Sequence, residues 1–106
     1  MPRRIGKIES TSLNTVVVLR LYIAGGSPNS LQAIANLEII CAEYLKEGHR
    51  LEIVDILDDP RRAMADGVIV TPSLTKLSPL PTAQIVGSLS DKKRVLLALG
   101  LRPQDE

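Results

Sequence analysis

Residues 16–48 constrain the fold of this chain more than any other stretch. They open with an apolar, β-branched run over 16–23, which is typical of a strand buried on both faces in a parallel sheet. Ala24-Gly25-Gly26 break the strand, and Ser27-Pro28 suit the start of a helix. Gly48 favours the end of that helix. The stretch therefore predicts a strand, a tight loop and a long covering helix, which is the first half of a βαβ unit.

The predicted helix has one apolar face. Its larger apolar residues recur at three- and four-residue steps, which places them against a sheet: Leu31, Ile34, Leu37, Cys41, Tyr44 and Leu45. A second strand follows over residues 50–57. Because a long helix joins the two strands, we expect them to be parallel, with a right-handed crossover.

The rest of the chain predicts two short helices and a hairpin. Asp59 and Pro60 suit the start of a helix that runs to about residue 66. Pro72 favours an edge strand over residues 73–77, because proline cannot donate to a central ladder. The strand over 83–86 returns antiparallel to it, and Ser90 suits the cap of a last helix over 91–99.

The element order βαβαββα predicts an α/β domain of thioredoxin-like fold, with a four-stranded mixed sheet flanked by helices. We expect this domain to occupy residues 15–102. Residues 1–14 are expected to form a flexible N-terminal segment and residues 103–106 a C-terminal tail.

Composition excludes several function classes. The net charge of +1 gives no electrostatic argument for nucleic acid or a membrane as partner. The single histidine, His49, has no second histidine or cysteine placed to form a metal site with it, and no cofactor motif is present. No apolar run reaches the ~20 residues of a membrane span, and no signal peptide is recognised. We therefore expect a cytoplasmic protein.

Redox chemistry of the thioredoxin type lacks its cysteines. That chemistry uses a C-x-x-C motif at the start of the first helix, where this chain has Ala24-Gly25-Gly26-Ser27-Pro28. The one cysteine, Cys41, falls in the middle of the predicted helix on its apolar face. We interpret it as a buried core residue, and an enzymatic or redox function would depend on it alone.

The motifs of the chain resemble those of the KaiB family of circadian-clock proteins. LRLYIAGGSPNS, residues 19–30, is similar to the family's LKLYVAGNTPNS. IVDIL with Pro60 is similar to VIDVLKNP, and VTPSLTK, residues 70–76, to ATPTLAK. IVGSLS, residues 85–90, is similar to IIGDLS, and VLL, residues 95–97, to VLIGL. The resemblance covers residues 17–101.

This resemblance implies a non-enzymatic regulatory protein without a cofactor. Its partners would be a KaiC-type ATPase and KaiA, and it would compete with a SasA-type kinase for the ATPase. It also implies fold switching between a monomeric thioredoxin-like state, with a cis peptide before Pro72, and a tetramer with the order βαββααβ. Two alternatives stay open: a stress- or redox-linked role outside the clock, and a structural oligomer without such an ATPase as partner.

The resemblance also implies a partner-binding surface. We expect it to include Gly25, Asn29, Gln32, His49, Arg50, Glu52, Ala83 and Gln84. At four of these positions the chain departs from the family, with Gln32 in place of arginine, Glu52 in place of lysine, and Ala83-Gln84 in place of two arginines. The lost positive charge predicts weaker binding to a clock-type KaiC, and predicts that Glu52→Lys strengthens it.

Two further departures bear on fold switching. Ala98 stands where the family has glycine, which favours helix by roughly 0.8–1.0 kcal/mol in a helix interior. Gly100 then falls where a helix should end. A helix in this segment belongs to the thioredoxin-like state, so we expect that state, monomeric or weakly associated, to be the ground state.

Overall fold

A computed structural model describes residues 16–101 of the protein. Four strands and three helices follow one another in the predicted order: β1 Val17–Ile23, α1 Pro28–Tyr44, β2 His49–Asp55, α2 Pro60–Ala65, β3 Ser73–Ser78, β4 Ala83–Val86 and α3 Lys92–Ala98. The predicted thioredoxin-like α/β class is confirmed. The predicted flexible segment, 1–14, and the predicted C-terminal tail, 103–106, lie outside the described residues.

The four strands form one mixed sheet in the order β2-β1-β3-β4. β1 and β2 are parallel as predicted, with Arg20 opposite Glu52, while β3 is antiparallel to both β1 and β4. The prediction that β3 is an edge strand is wrong, because it lies between β1 and β4. Pro72 immediately precedes β3, so its missing N–H removes no hydrogen bond from the interior ladder. The two edges of the sheet are β2 and β4.

One face of the sheet packs against α1 and α3. The buried cluster combines sheet residues such as Leu21 and Leu74 with residues of both helices, among them Leu37 and Leu96. The buried stripe of α1 differs from the predicted one: Ser30, Ala33, Leu37, Ile40 and Cys41 are buried, whereas Leu31 is exposed. Serine and alanine at the start of the stripe are therefore buried although neither is a large apolar residue.

The helix ends differ from prediction at three places. α1 ends at Tyr44, four residues before Gly48, which lies in the following turn. The cap of α3 is Asp91, whose carboxylate accepts from the Arg94 N–H at 3.2 Å, and not Ser90. Ala98 is the last residue of α3 and not an interior one, so its helix propensity contributes less than predicted.

The other face of the sheet carries α2 above β1 and β2. Tyr22, Val54 and Ala63 are buried there, apart from the main cluster. Asp59 caps α2 as predicted, accepting from the Arg62 N–H at 3.2 Å. The peptide bond before Pro72 is cis, and so are those before the two prolines of the β3–β4 turn.

Candidate partner-binding surface

The loop between β1 and α1 is attached to the end of β2 by one carboxylate. Asp55 Oδ1 accepts from the Gly25 N–H and from the Leu57 N–H, each at 3.0 Å. Gly25 has φ +56°, and a Cβ there would lie 3.0 Å from Leu57 Cδ1. Glycine therefore suits both the backbone conformation and the close approach. The β1–α1 loop and the end of β2 form one connected surface.

A buried serine fixes the same loop from the helix side. Ser30 Oγ accepts from the Ala24 N–H at 3.1 Å and from the Ser27 hydroxyl at 2.8 Å. Ser27, predicted to cap α1, makes no side-chain bond to the helix backbone. Asn29 and Gln32 lie in the first turns of α1 and are exposed. The loop thus presents these two side chains from a defined backbone.

The outer edge of β2 is the second part of the predicted surface. β2 pairs only with β1 within residues 16–101, so its other side leaves backbone N–H and C=O groups without a strand partner. His49, Arg50 and Glu52 lie along this strand and are exposed. An open strand edge is a template on which another chain can add.

Five side chains next to this edge form a polar cluster that links β1, β2 and α2: Arg20, Tyr22, Glu52, Arg62 and Asp66. The Arg62 guanidinium donates two bonds to the Glu52 carboxylate, at 2.6 and 2.7 Å. Arg20 Nε donates to the same carboxylate at 2.9 Å. The Tyr22 hydroxyl donates to Asp66 at 2.6 Å. The Glu52 carboxylate is thus already hydrogen-bonded to two arginines of the same chain.

These contacts shift the titration of the cluster in opposite directions. The hydrogen bonds from Arg62, and then from Arg20, lower the pKa of Glu52 to about 2. Burial, followed by the hydrogen bond to Asp66, raises the pKa of Tyr22. Glu52 therefore stays an anion, and Tyr22 a neutral donor, throughout the physiological pH range.

Four members of the polar cluster are absent from the predicted surface: Arg20, Tyr22, Arg62 and Asp66. Two sequence signals could have found three of them, all except Tyr22. A parallel β1–β2 pair places Arg20 opposite Glu52, and a helix starting at Pro60 places Arg62 and Asp66 four residues apart on one face.

Ala83 and Gln84 do not join the rest of the predicted surface. They belong to β4, the opposite edge of the sheet, with β1 and β3 between them and β2. At about 4.8 Å per strand, three spacings separate the two edges by roughly 14 Å. Gln84 Nε2 donates to Ser73 Oγ at 3.0 Å. The predicted residues therefore form two separate surfaces.

Among the described residues the one cysteine is buried, and the histidine and acidic side chains are not clustered into a metal site. Cys41 is buried in the core cluster, and burial, followed by the charge of Glu38, raises its pKa to about 11. Among residues 16–101, no three histidine, cysteine or acidic side chains are grouped to hold a metal ion.

A cavity of about 330 Å³ lies near the start of β1 and the end of α1, remote from the β1–α1 loop. None of the helices within residues 16–101 is long and apolar enough to span a membrane.

We expect Cys41 to be unreactive in the folded protein. Raising the pKa of the thiol from 9.0 to about 11 lowers the thiolate fraction at pH 8 by about 100-fold. Because the thiolate is the reactive form, the rate of modification should fall by the same factor. A thiol-reactive dye should modify the urea-unfolded chain within minutes and the native chain at least about 100-fold more slowly. Equal rates in the two states would restore the redox alternative.

Comparison with known proteins gives a family and close relatives. The family model described as "KaiB domain" matches residues 20–101. The circadian clock protein KaiB3 of Synechocystis sp. is 46% identical over 88 residues, covering 83% of this chain and 86% of the relative. The circadian clock oscillator protein KaiB of Prochlorococcus marinus (strain MIT 9211) is 43% identical over 84 residues, covering 79% and 74%.

Solved structures support the fold. The N-terminal domain of Synechococcus elongatus SasA has a TM-score of 0.68 and 19% identity, covering 95% of this chain and 99% of that domain. Chloroplastic thioredoxin z also has a TM-score of 0.68, with 14% identity and coverage of 80% and 76%. At these identities the likeness concerns the fold alone.

Proposed function

We propose a function from the premise that this chain belongs to the KaiB family: it is a non-enzymatic regulatory protein that binds a KaiC-type ATPase. Its relatives carry the names of circadian clock proteins. The observation that carries the proposal is a thioredoxin-like fold whose β1–α1 loop is hydrogen-bonded to Asp55 and Ser30 and has no thiol. Such a loop can present a surface to a partner, but it cannot perform disulfide exchange.

The proposed contact surface combines the β1–α1 loop with the edge of β2. Asp55 joins the two parts, so Gly25, Asn29 and Gln32 are presented next to the strand that carries His49, Arg50 and Glu52. An open strand edge offers main-chain hydrogen bonds, and the flanking side chains supply selectivity. Ala83 and Gln84, on β4, form a separate second contact in this proposal.

The wider partner set follows from the family. A KaiC-type ATPase is the first partner, KaiA is bound through the resulting complex, and a SasA-type kinase competes for the same ATPase surface. The fold likeness to the N-terminal domain of SasA supports competition, because similar folds can present similar surfaces. The thioredoxin-like state binds the ATPase, and the fold-switched tetramer is the alternative state of the same chain.

Reversing the charge of Arg50 should weaken binding to the ATPase. Arg50 is exposed on the open edge, and a charge at an interface rim changes both the association rate and the affinity. In a pull-down and titration with KaiC-type ATPases, with and without ATP, Arg50→Glu should bind about tenfold more weakly than the wild type.

Lys93→Glu is the matched control. Lys93 is exposed on α3, on the side of the sheet that carries β4 and away from the β1–α1 loop and the β2 edge, and its reversal changes the net charge equally. It should leave the affinity unchanged. Absence of binding by the wild-type chain to any KaiC-type ATPase would contradict the proposed function, and equal effects of the two variants would contradict the proposed surface.

The structure changes how the effect of Glu52→Lys should be interpreted. A lysine at this position would face Arg20 and Arg62, which now bind the carboxylate. The substitution therefore adds repulsion within the chain as well as a positive charge for a partner. Glu52→Gln separates the two effects, because it removes the carboxylate without adding a cation.

A further inference from the structure

We infer that Glu52 is a tethered competitor: it occupies a carboxylate-binding site formed by Arg20 and Arg62, and it keeps acidic groups of a partner off the β2 edge. The inference rests on the β2 edge being a partner surface, as proposed above. It specifies the chemical group of a partner that this surface disfavours, namely an acidic group.

The two guanidinium groups converge on one position from different elements. Arg62, on α2, meets the carboxylate with the two-pronged geometry of an arginine–carboxylate pair, at 2.6 and 2.7 Å. Arg20, on β1, approaches the same Oε1 at 2.9 Å. Two arginines that share one carboxylate form a site for an oxyanion, and the preferred ligands of such a site are carboxylates and phosphates.

This site opens to solvent. The side chains of Arg20, Arg62 and Glu52 are 24%, 33% and 46% exposed, and Glu52 lies on an edge strand that no other strand covers within residues 16–101. A carboxylate from another molecule could therefore reach the same guanidinium groups. It is excluded because the internal carboxylate is held beside them at a high effective concentration.

The net charge of the polar cluster depends on whether Glu52 is present. Asp66 Oδ2 lies 3.5 Å from Arg20 Nη1 and 3.7 Å from Arg62 Nε, so one acidic group balances part of the positive charge. With Glu52 in place, two arginines face two carboxylates and the cluster is neutral. Without Glu52, the same cluster carries a net positive charge at the strand edge.

A partner that binds this edge therefore presents a neutral or basic group opposite Glu52, and a partner with an acidic group at that point is disfavoured. The discrimination comes from the internal competitor and not from the absence of arginines. Removing the carboxylate should turn the same edge into an acceptor of acidic peptides.

A peptide titration tests this without any clock protein. The full-length ¹⁵N-labelled chain is titrated with a hexaglutamate peptide, and the arginine Nε–Hε signals of Arg20 and Arg62 are followed by NMR. The wild type should show weak shifts that do not saturate. Glu52→Gln should show saturable shifts at both signals and about tenfold tighter binding, as expected for a two-pronged charged contact.

Glu43→Gln is the charge-matched control. The Glu43 carboxylate is similarly exposed and contacts a single lysine, Lys92, at 2.8 Å, so its removal changes the net charge equally without freeing two arginines. It should bind the peptide as weakly as the wild type. The double variant Glu52→Gln/Arg62→Gln should lose the gained affinity.

A second variant tests whether the gain in peptide binding comes from a local loss of structure. Glu52→Ala removes the same carboxylate, while the burial of Ala63 and the hydrogen bond from Tyr22 to Asp66 do not involve Glu52; the backbone amide spectrum shows directly whether α2 remains in place. Tighter peptide binding by both Glu52 variants supports the inference. Binding no tighter than that of Glu43→Gln, in variants with an intact spectrum, overturns it, and the proposed function would still stand.

Discussion

Leu37→Ala is expected to lower the free energy of unfolding by about 2–5 kcal/mol, as deletion of a fully buried leucine side chain usually does. Leu37 lies at the middle of α1, is 0% exposed and belongs to the core cluster. The substitution removes its contacts with the sheet and leaves a cavity that the surrounding side chains fill only in part. Urea unfolding followed by circular dichroism measures the change.

Leu31→Ala is the matched control on the same helix. Leu31 is 56% exposed, so the same substitution should change the free energy of unfolding by at most about 0.5 kcal/mol. A loss as large as that of Leu37→Ala would mean that α1 packs with the face predicted from the larger apolar residues, and that the helix is rotated relative to the structure described above.

The two leucines show where prediction from sequence succeeds and fails within one helix. The three- and four-residue spacing of apolar side chains predicted correctly that α1 has a buried face. It placed that face too close to Leu31, because the pattern gave no weight to Ser30 and Ala33. Small side chains are often buried where a helix lies close to a sheet, and their low hydrophobicity hides them in a search for apolar residues.

The sheet order shows a similar limit. The long crossover helix fixes β1 and β2 as parallel neighbours, and this prediction is confirmed. A hairpin has no such constraint, since either of its strands can lie next to β1. The sequence favoured β3 as the edge because of Pro72, but the proline precedes the strand, so it carries no information about the position of β3 in the sheet.

The polar cluster could be predicted only in part. Register within a parallel pair brings Arg20 to Glu52 across 32 positions of sequence. The bond from Tyr22 to Asp66 spans 44 positions and depends on how α2 lies on the sheet. A side-chain contact of this kind follows from the packing of a short helix, which local sequence patterns do not determine.

The end of α3 connects the predicted fold-switch residues with a buried charge. Gly100 follows α3 with φ +77°, and a Cβ at this position would lie 3.9 Å from Lys76 Nζ. Lys76 is 5% exposed, on the face of β3 that contacts the core. Within residues 16–101 no carboxylate lies at ion-pair distance from it. Because Gly100 follows the C-cap residue of α3, the C-terminal end of that helix lies near the ammonium group, and its partial negative charge favours a cation there.

Lys76→Glu is therefore expected to lower the free energy of unfolding by about 3–5 kcal/mol, the range for an uncompensated buried charge. The substitution places a carboxylate beside the negative end of α3, so both burial and the helix dipole oppose it. Because the substitution acts at the end of α3, the secondary chemical shifts of this helix should move toward random-coil values over residues 92–98. Urea unfolding and NMR measure the two effects.

Lys76→Met separates the charge from the packing of the side chain. Methionine fills a similar volume without a charge to desolvate, so we expect the free energy of unfolding to change by less than about 1.5 kcal/mol in either direction. With that result, the loss in Lys76→Glu is electrostatic, as expected for a carboxylate placed next to the negative end of α3. Equal losses in the two variants would mean instead that the ammonium group makes a specific stabilising bond, and the account from the helix dipole would be wrong.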